Sequence, residues 1–411
     1  MAAKWWIGAI LLLLAGAAQA VPKIEHWTLD NGARVYFVRA KELPLLQLRV
    51  AFDAGSSRDP AGRSGVAVYT GRMLNFGAAN LDADAIAAGF EDLGAEFGTG
   101  VDRDMATVDL RSLSDRKLLQ PALDLLSTII AEPTFPQDAL ERERARGLVG
   151  LQRDAQQPDV IAEKTFLRTL YGTHPYANEP VGTEASLKAL TRDDLVAHHR
   201  RYYTGANAWL AIVGDATVGE AKEIARRVLG RLPRGEAAPP LSAPAALKAP
   251  ARQQIAFPAS QSHIRLGQPA IARTDPDYFP LLVGNYTLGG GGLVSRLAEE
   301  IREKRGFSYS VYSYFYPLRV AGPFVLGLQT KNAQRDEALK VVRKVLADYV
   351  ANGPTPKELE AAKKHLTGSF PLRLDSNKKI ADQLSAIAFY GLPLTYLDDF
   401  IPKVEAVTIE Q

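Results

Sequence analysis

The chain of 411 residues contains no cysteine, only three methionines and six histidines. Without cysteine, disulfides, thiolate zinc sites and cysteine nucleophiles are all excluded, and an oxidising compartment is permitted without being required. The histidines are His26, His174, His198, His199, His263 and His365, and no two of them stand four residues apart. A metal-binding helix of the H-x-x-E-H or H-E-x-x-H kind is therefore missing. There is no G-x-S-x-G elbow, and the glycine run 289–292 lacks the Lys-Ser/Thr ending of a phosphate loop. That run is expected to be a flexible loop feeding a helix N-terminus. His198 and His199, beside Arg200 and Arg201, are expected to be solvated.

Long hydrophobic runs are also scarce. The apolar run 7–14 lies behind Lys4 and ahead of Ala18-Gln19-Ala20, the layout of a cleaved secretory signal over residues 1–20. It is too short to span a bilayer stably, so no stable membrane anchor is expected. The formal charge of +3 becomes +2 without Lys4 and calls for neither nucleic acid nor an acidic surface.

What is present is a duplicated plan. Residues 232–250, rich in proline and alanine, read as a linker between an N-terminal domain (21–231) and a C-terminal domain (251–411). A helix after a proline turn at 133–154 is mirrored at 353–370. A Thr191–Asp194 capping box is mirrored by Thr408 with Gln411. Alternating strands at 33–40, 45–52 and 106–113 have later counterparts in HIRLGQPAI and FVLGLQT. The expectation is an α+β fold given twice, each copy a mostly antiparallel sheet covered by helices. The capped helix of the first copy leads into the strand NAWLAIVGD (207–215). The second copy is expected to lack its last helix and strand, so either the sequence is truncated at Gln411 or a sheet edge is left unpaired.

The stretch SRLAEEIREKRGFSYSVYS (295–313) reads as a charged helix ended by Gly306 and an alternating strand with Tyr309 and Tyr312 on opposite faces. On spacing alone, Arg302 and Tyr309 are equally well a solvated helix residue and a sheet aromatic.

That stretch strongly resembles the second-domain signature of pitrilysin-type, or insulinase-type, zinc peptidases, the group that includes mitochondrial processing peptidase. VAFDAGSSRDPAGRSGVAVYTGRML and THPYANEPVGTEASLKALT extend the resemblance over nearly all of residues 22–411. It implies a clam-shell of two homologous domains. In active members an H-x-x-E-H helix and a later glutamate hold zinc; here those positions fall on Val68, Gly71, Arg72 and Gly150. Valine and glycine offer no ligand or general base, and Arg72 is a fixed cation where a neutral imidazole is needed. No metal and no cofactor is expected in this chain.

The Arg/Tyr pair survives as Arg302 and Tyr309, which in such complexes reach the substrate carbonyl. The resemblance thus implies a non-catalytic, periplasmic subunit. Its expected partner is a homologous H-x-x-E-H subunit that holds the zinc, and its substrates are peptides added along a sheet edge such as that within 94–110. The alternative is a scaffold or peptide-binding protein of the same fold.

Overall fold

The computed structural model describes residues 23–411, so the expected signal segment lies outside the described residues. The first half begins with β1 (Glu25–Thr28), β2 (Arg34–Arg39), β3 (Leu45–Phe52) and helix α1 (Val66–Met73). A short hairpin of β4 (Gly77–Ala78) and β5 (Leu81–Asp82) leads to α2 (Ala83–Glu91), β6 (Glu96–Val101) and β7 (Ala106–Leu113). Helices α3 (Arg116–Ala131), α4 (Gln137–Asp154), α5 (Pro158–Tyr171), α6 (Glu184–Ala189) and α7 (Arg192–Tyr202) follow, then β8 (Ala208–Gly214) and α8 (Val218–Leu229).

The six long strands form one sheet in the order β1-β2-β8-β3-β7-β6, antiparallel at every junction except β2–β8. Every residue of β8, AWLAIVG, is buried, because this strand is central and covered on both faces. Leu210 and Ile212 enter the main core with Val35, Phe37, Leu48 and Val50; Trp209, Ala211 and Val213 point the other way.

The second half comprises β9 (Gln261–Pro269), α9 (Tyr278–Asn285), β10 (Val311–Phe315), β11 (Pro323–Lys331), α10 (Arg335–Asn352), α11 (Pro356–Ser369), α12 (Asn377–Tyr390) and α13 (Tyr396–Ala406). Its sheet has three antiparallel strands in the order β10-β11-β9. Each half thus lays helices on a mostly antiparallel sheet. Residues 233–260 contain no helix or strand. Arg58, bound to Asp53 at 2.6 and 2.8 Å, also donates to the carbonyl of Pro239 at 2.7 Å and so pins this segment to the first half.

The halves exchange helices. α12 starts at Ser376, whose hydroxyl accepts the Lys379 N–H, and stops at Gly391, in the left-handed region at φ 67°. Between these caps, Ile380, Ala381, Leu384 and Ala388 recur at helical spacing and bury themselves against the first sheet, on Tyr36, Val38, Trp209 and Val213. Phe389 meets the Trp209 ring at 5.1 Å. In return, α5 of the first half lies on the second sheet, where Phe166 covers Gly267 so closely that a Cβ there would stand 2.8 Å from the ring.

The hairpin tips also interlock. Asp104, 1% exposed, accepts from the Tyr176 hydroxyl (2.6 Å), the Arg319 N–H (2.8 Å) and the Tyr390 hydroxyl (3.1 Å). Two of these donors belong to the second half.

Candidate functional site

Helix α1 is buried almost all round, with Arg72 its exposed residue. Its N-terminus is capped from outside by Asp59, whose carboxylate accepts the N–H groups of Gly65 (2.8 Å) and Ala67 (2.7 Å). Burial pushes the Asp59 carboxyl up to about 7 against the pull of those two donors.

Val68 is 6% exposed and packs in the interior. Gly71 faces the end of β6, where a Cβ would stand 2.5 Å from Val101 Cγ2. A glutamate side chain therefore has no room at this position unless Val101 gives way. Arg72 stacks 5.6 Å above the Tyr69 ring. On α4, Gly147 accommodates the Tyr69 hydroxyl, while a Cβ at Gly150 would meet open space. Glu143, on the same helix, is buried and paired with Arg146 at 2.5 Å. The hydroxyls of Tyr69 and Tyr203 have no partner among the described residues.

This donor set does not fit a zinc ion. The four positions supply an alkyl group, two hydrogens and a guanidinium, and among the described residues no group of three or more His, Asp or Glu side chains is placed to hold a metal ion.

Of the two adjacent histidines, His198 is buried and His199 half-buried, so neither is freely solvated. His198 reaches the carbonyl of Ala54 at 3.2 Å and His199 that of Ile130 at 2.8 Å, and burial lowers both to about 4. They are neutral tethers of α7, drawn inward because the apolar face of that helix turns on Leu195 and His198.

In the second half, Arg302 and Tyr309 come together: the guanidinium lies 4.4 Å above the Tyr309 ring, and Tyr309 is 80% exposed. Gly306, at φ 61°, turns the chain between them. Two details differ from the sequence reading. The segment Ala298–Glu303 is a π-helix, and Tyr309 precedes the strand, which starts at Val311. The glycine run is packed at some positions and open at others: Gly290 and Gly292 are exposed, and a Cβ at Gly292 would meet open space. Gly289 sits against Ser313 and Leu297, and a Cβ at Gly291 would stand 2.6 Å from the Tyr286 carbonyl oxygen.

Two groups of residues escaped the sequence reading. One is the Asp104 junction. The other is a cavity of about 310 Å³ at the β6 edge, lined by Arg49, Gly100, Asp102, Thr107, Asp382 and Ser385 among others. Its one signal in the sequence is a strand with glycine at alternate positions, EFGTGV.

The family model for insulinase (peptidase family M16) matches residues 36–184, and that for the peptidase M16 inactive domain matches residues 189–366. A crystal structure described as a peptidase M16 inactive domain from Pseudomonas fluorescens is 44% identical, with a TM-score of 0.91, over 94% of this chain and 92% of that one. The chain belongs to the insulinase (M16) peptidase family. Among M16 relatives, the non-peptidase homolog YmxG of Helicobacter pylori is 28% identical over 90% of this chain and 85% of its own length. The crystal structure of a protease from Helicobacter pylori shares the fold at 20% identity and a TM-score of 0.84, covering 95% of this chain and 94% of that one. This chain is a non-catalytic M16 member. The second matched segment takes in β8, which lies in the centre of the first sheet because the β2–β8–β3 pairing closes that sheet late in the chain. No described helix is long and apolar enough to cross a membrane.

Proposed function

We propose that this M16 chain is the non-catalytic subunit of an exported, periplasmic, heterodimeric metallopeptidase. A homologous partner with H-x-x-E-H would bring the zinc that activates water. This chain would complete the chamber around a peptide and present Arg302 and Tyr309 to the substrate carbonyl.

The observation that carries the reading is the Arg302–Tyr309 pair itself. The ring is exposed, and the guanidinium is held on it 4.4 Å away. A phenol and a guanidinium are donors suited to a developing oxyanion, and losing one such donor costs about 3 kcal/mol of barrier. The free edge of β6, which ends beside α1, supports peptide binding by strand addition.

The test is reconstitution with the H-x-x-E-H homologue of the same organism. Peptidase activity should appear on mixing and fall about a hundredfold or more with Arg302→Ala or Tyr309→Phe. Full activity in both variants would leave the scaffold or peptide-binding role standing in its place.

A further inference from the structure

Strand β6 is one of the two edge strands of the first sheet, opposite β1, and its two faces differ. Phe97, Thr99 and Val101 pair with Leu110, Val108 and Ala106 on the core face, where Val101 closes against Gly71 of α1. On the other face, Gly98 and Gly100 pair with Asp109 and Thr107, and Asp109 in turn pairs with Arg49. A Cβ at Gly98 would meet open space. Beyond the glycines lies the cavity of about 310 Å³, closed on its far side by Asp382, Ser385 and Ala386 of α12.

The charges around that cavity are unequal. Arg49 is the one cation in its lining, and it is already engaged, through Nε with Asp109 at 2.6 Å and through Nη1 with Asp382. Asp102 uses Oδ1 for the N–H groups of Asp104 (2.7 Å) and Met105 (2.8 Å), and its other oxygen has no hydrogen bond among the described residues. The lining thus holds two carboxylates, Asp102 and Asp382, and one guanidinium that is already paired. Burial and the neighbouring Asp109 hold the half-buried Asp382 carboxyl above its ordinary range, against the pull of Arg49. Independently, Ser385 is 4% exposed, and its hydroxyl, in the cavity lining, has no partner.

A peptide strand added to β6 continues the pleat, so alternate side chains fall on alternate faces. One set meets α1, and the other passes over the glycines. We propose that the cavity between β6 and α12 is a pocket for a lysine or arginine side chain of such a peptide, a reading that rests on the peptide binding proposed above. The methylene stem runs over Gly100, Val101 and Met105, and the cationic head meets Asp102 and Asp382. A glutamate in the same place would add a third carboxylate to the lining.

The test uses the purified chain and labelled extended peptides that differ at one central residue, lysine, norleucine or glutamate. Binding is read by anisotropy, and strand addition by amide exchange in 96–101. Lysine should bind about tenfold tighter than norleucine, and glutamate weakest. Asp102→Asn and Asp382→Asn, taken singly, should each shrink the lysine advantage to about threefold or less without weakening the norleucine peptide. If Asp382→Asn unfolds the chain by freeing Arg49, Asp102→Asn alone decides. Equal binding of lysine and norleucine with β6 amides protected overturns the pocket and leaves edge binding intact. Absence of binding by any peptide overturns the pocket too, while reconstitution with the catalytic subunit judges the subunit role separately.

Discussion

The two halves are built on one plan and differ most at their edge strands. In register, β3 pairs Arg49 with Asp109 of β7, and β9 pairs Arg265 with Gly327 of β11, so these residues occupy equivalent places. One strand further out, Gly98 faces Asp109 and Gly100 faces Thr107, whereas Tyr312 faces Gly327 and Tyr314 faces Val325. Where the first half has glycine and a cavity, the second has two tyrosines stacked at 5.8 Å and 14°, with Arg265 5.8 Å from the Tyr312 ring. The Tyr312 ring occupies the space a Cβ at Gly327 would need, within 2.5 Å. Duplication supplied two edges of one geometry. Side chains left one open and filled the other, so a single fold holds a receptive half and a closed half.

The largest expected effect comes from separating the halves at Asp104. Asp104→Ala would leave the hydroxyl of Tyr176, which is fully buried, and the N–H of Arg319 without their acceptor. A cost of about 3–5 kcal/mol is expected. Urea unfolding should show this loss, and the joint transition of the two halves should split. A variant that unfolds like the parent would mean that the helix exchange through α12 and α5 suffices to hold the halves together.

Acid should loosen the first half ahead of the second. His198 and His199 are lowered from 6.5 to about 4, so the unfolded chain takes up their protons before the folded one does. Their contribution is full above pH 6.5 and is lost as the pH falls towards 4, about 3 kcal/mol for each. Asp59, raised to about 7, acts oppositely: its contribution is full below about pH 4 and is lost as the pH rises to 7. The buried carboxyls of Asp104 and Asp382 are raised as well and act with Asp59, so the histidine contribution, a loss of stability between pH 6.5 and 4, is read as the difference between the parent and a histidine variant. His199→Gln, which keeps a donor for the Ile130 carbonyl, should flatten that slope. The same pH dependence in His199→Gln as in the parent would contradict the assignment.

Much of this architecture is legible in the residue order, and the parts that are not have a common cause. Alternation in RVYFVR and LLQLRVAF marks strands within a residue or two, and the Thr191–Asp194 box begins α7 where the sequence places it. The capping of Thr408 by Gln411 is present too, at 3.0 and 3.4 Å. That Val68, Gly71, Arg72 and Gly150 stand at metal positions is what the family resemblance implies; side-chain chemistry adds that none of the four is a zinc ligand. Burial of His198 and His199 does not, because it depends on carbonyls of Ala54 and Ile130 far away in the chain. The helix exchange is equally silent: the apolar stripe of α12 announces a buried face without naming the sheet it covers. Tyr309 falls outside its strand because the π-turn and Gly306 consume residues that a regular helix would have left for pairing.

The smallest effect on stability should come from making the open edge resemble the closed one. Gly98→Tyr places an aromatic where Tyr312 stands in the second half, and the site has free space for its Cβ. Tyrosine also favours a strand over glycine, so stability should stay within about 1 kcal/mol of the parent. Its ring would cover the way from the β6 edge to Asp102 and Asp382, so lysine and norleucine peptides should become indistinguishable. The reverse change, Tyr312→Ala, removes a half-buried ring and its stacking on Tyr314, at about 2 kcal/mol, and opens the second edge without supplying carboxylates. That edge has Arg265 where the first has Arg49, and Gly327 where it has Asp109. A newly opened second half should therefore show no preference for lysine, because the selectivity lies in the carboxylates and the glycines only clear the path to them.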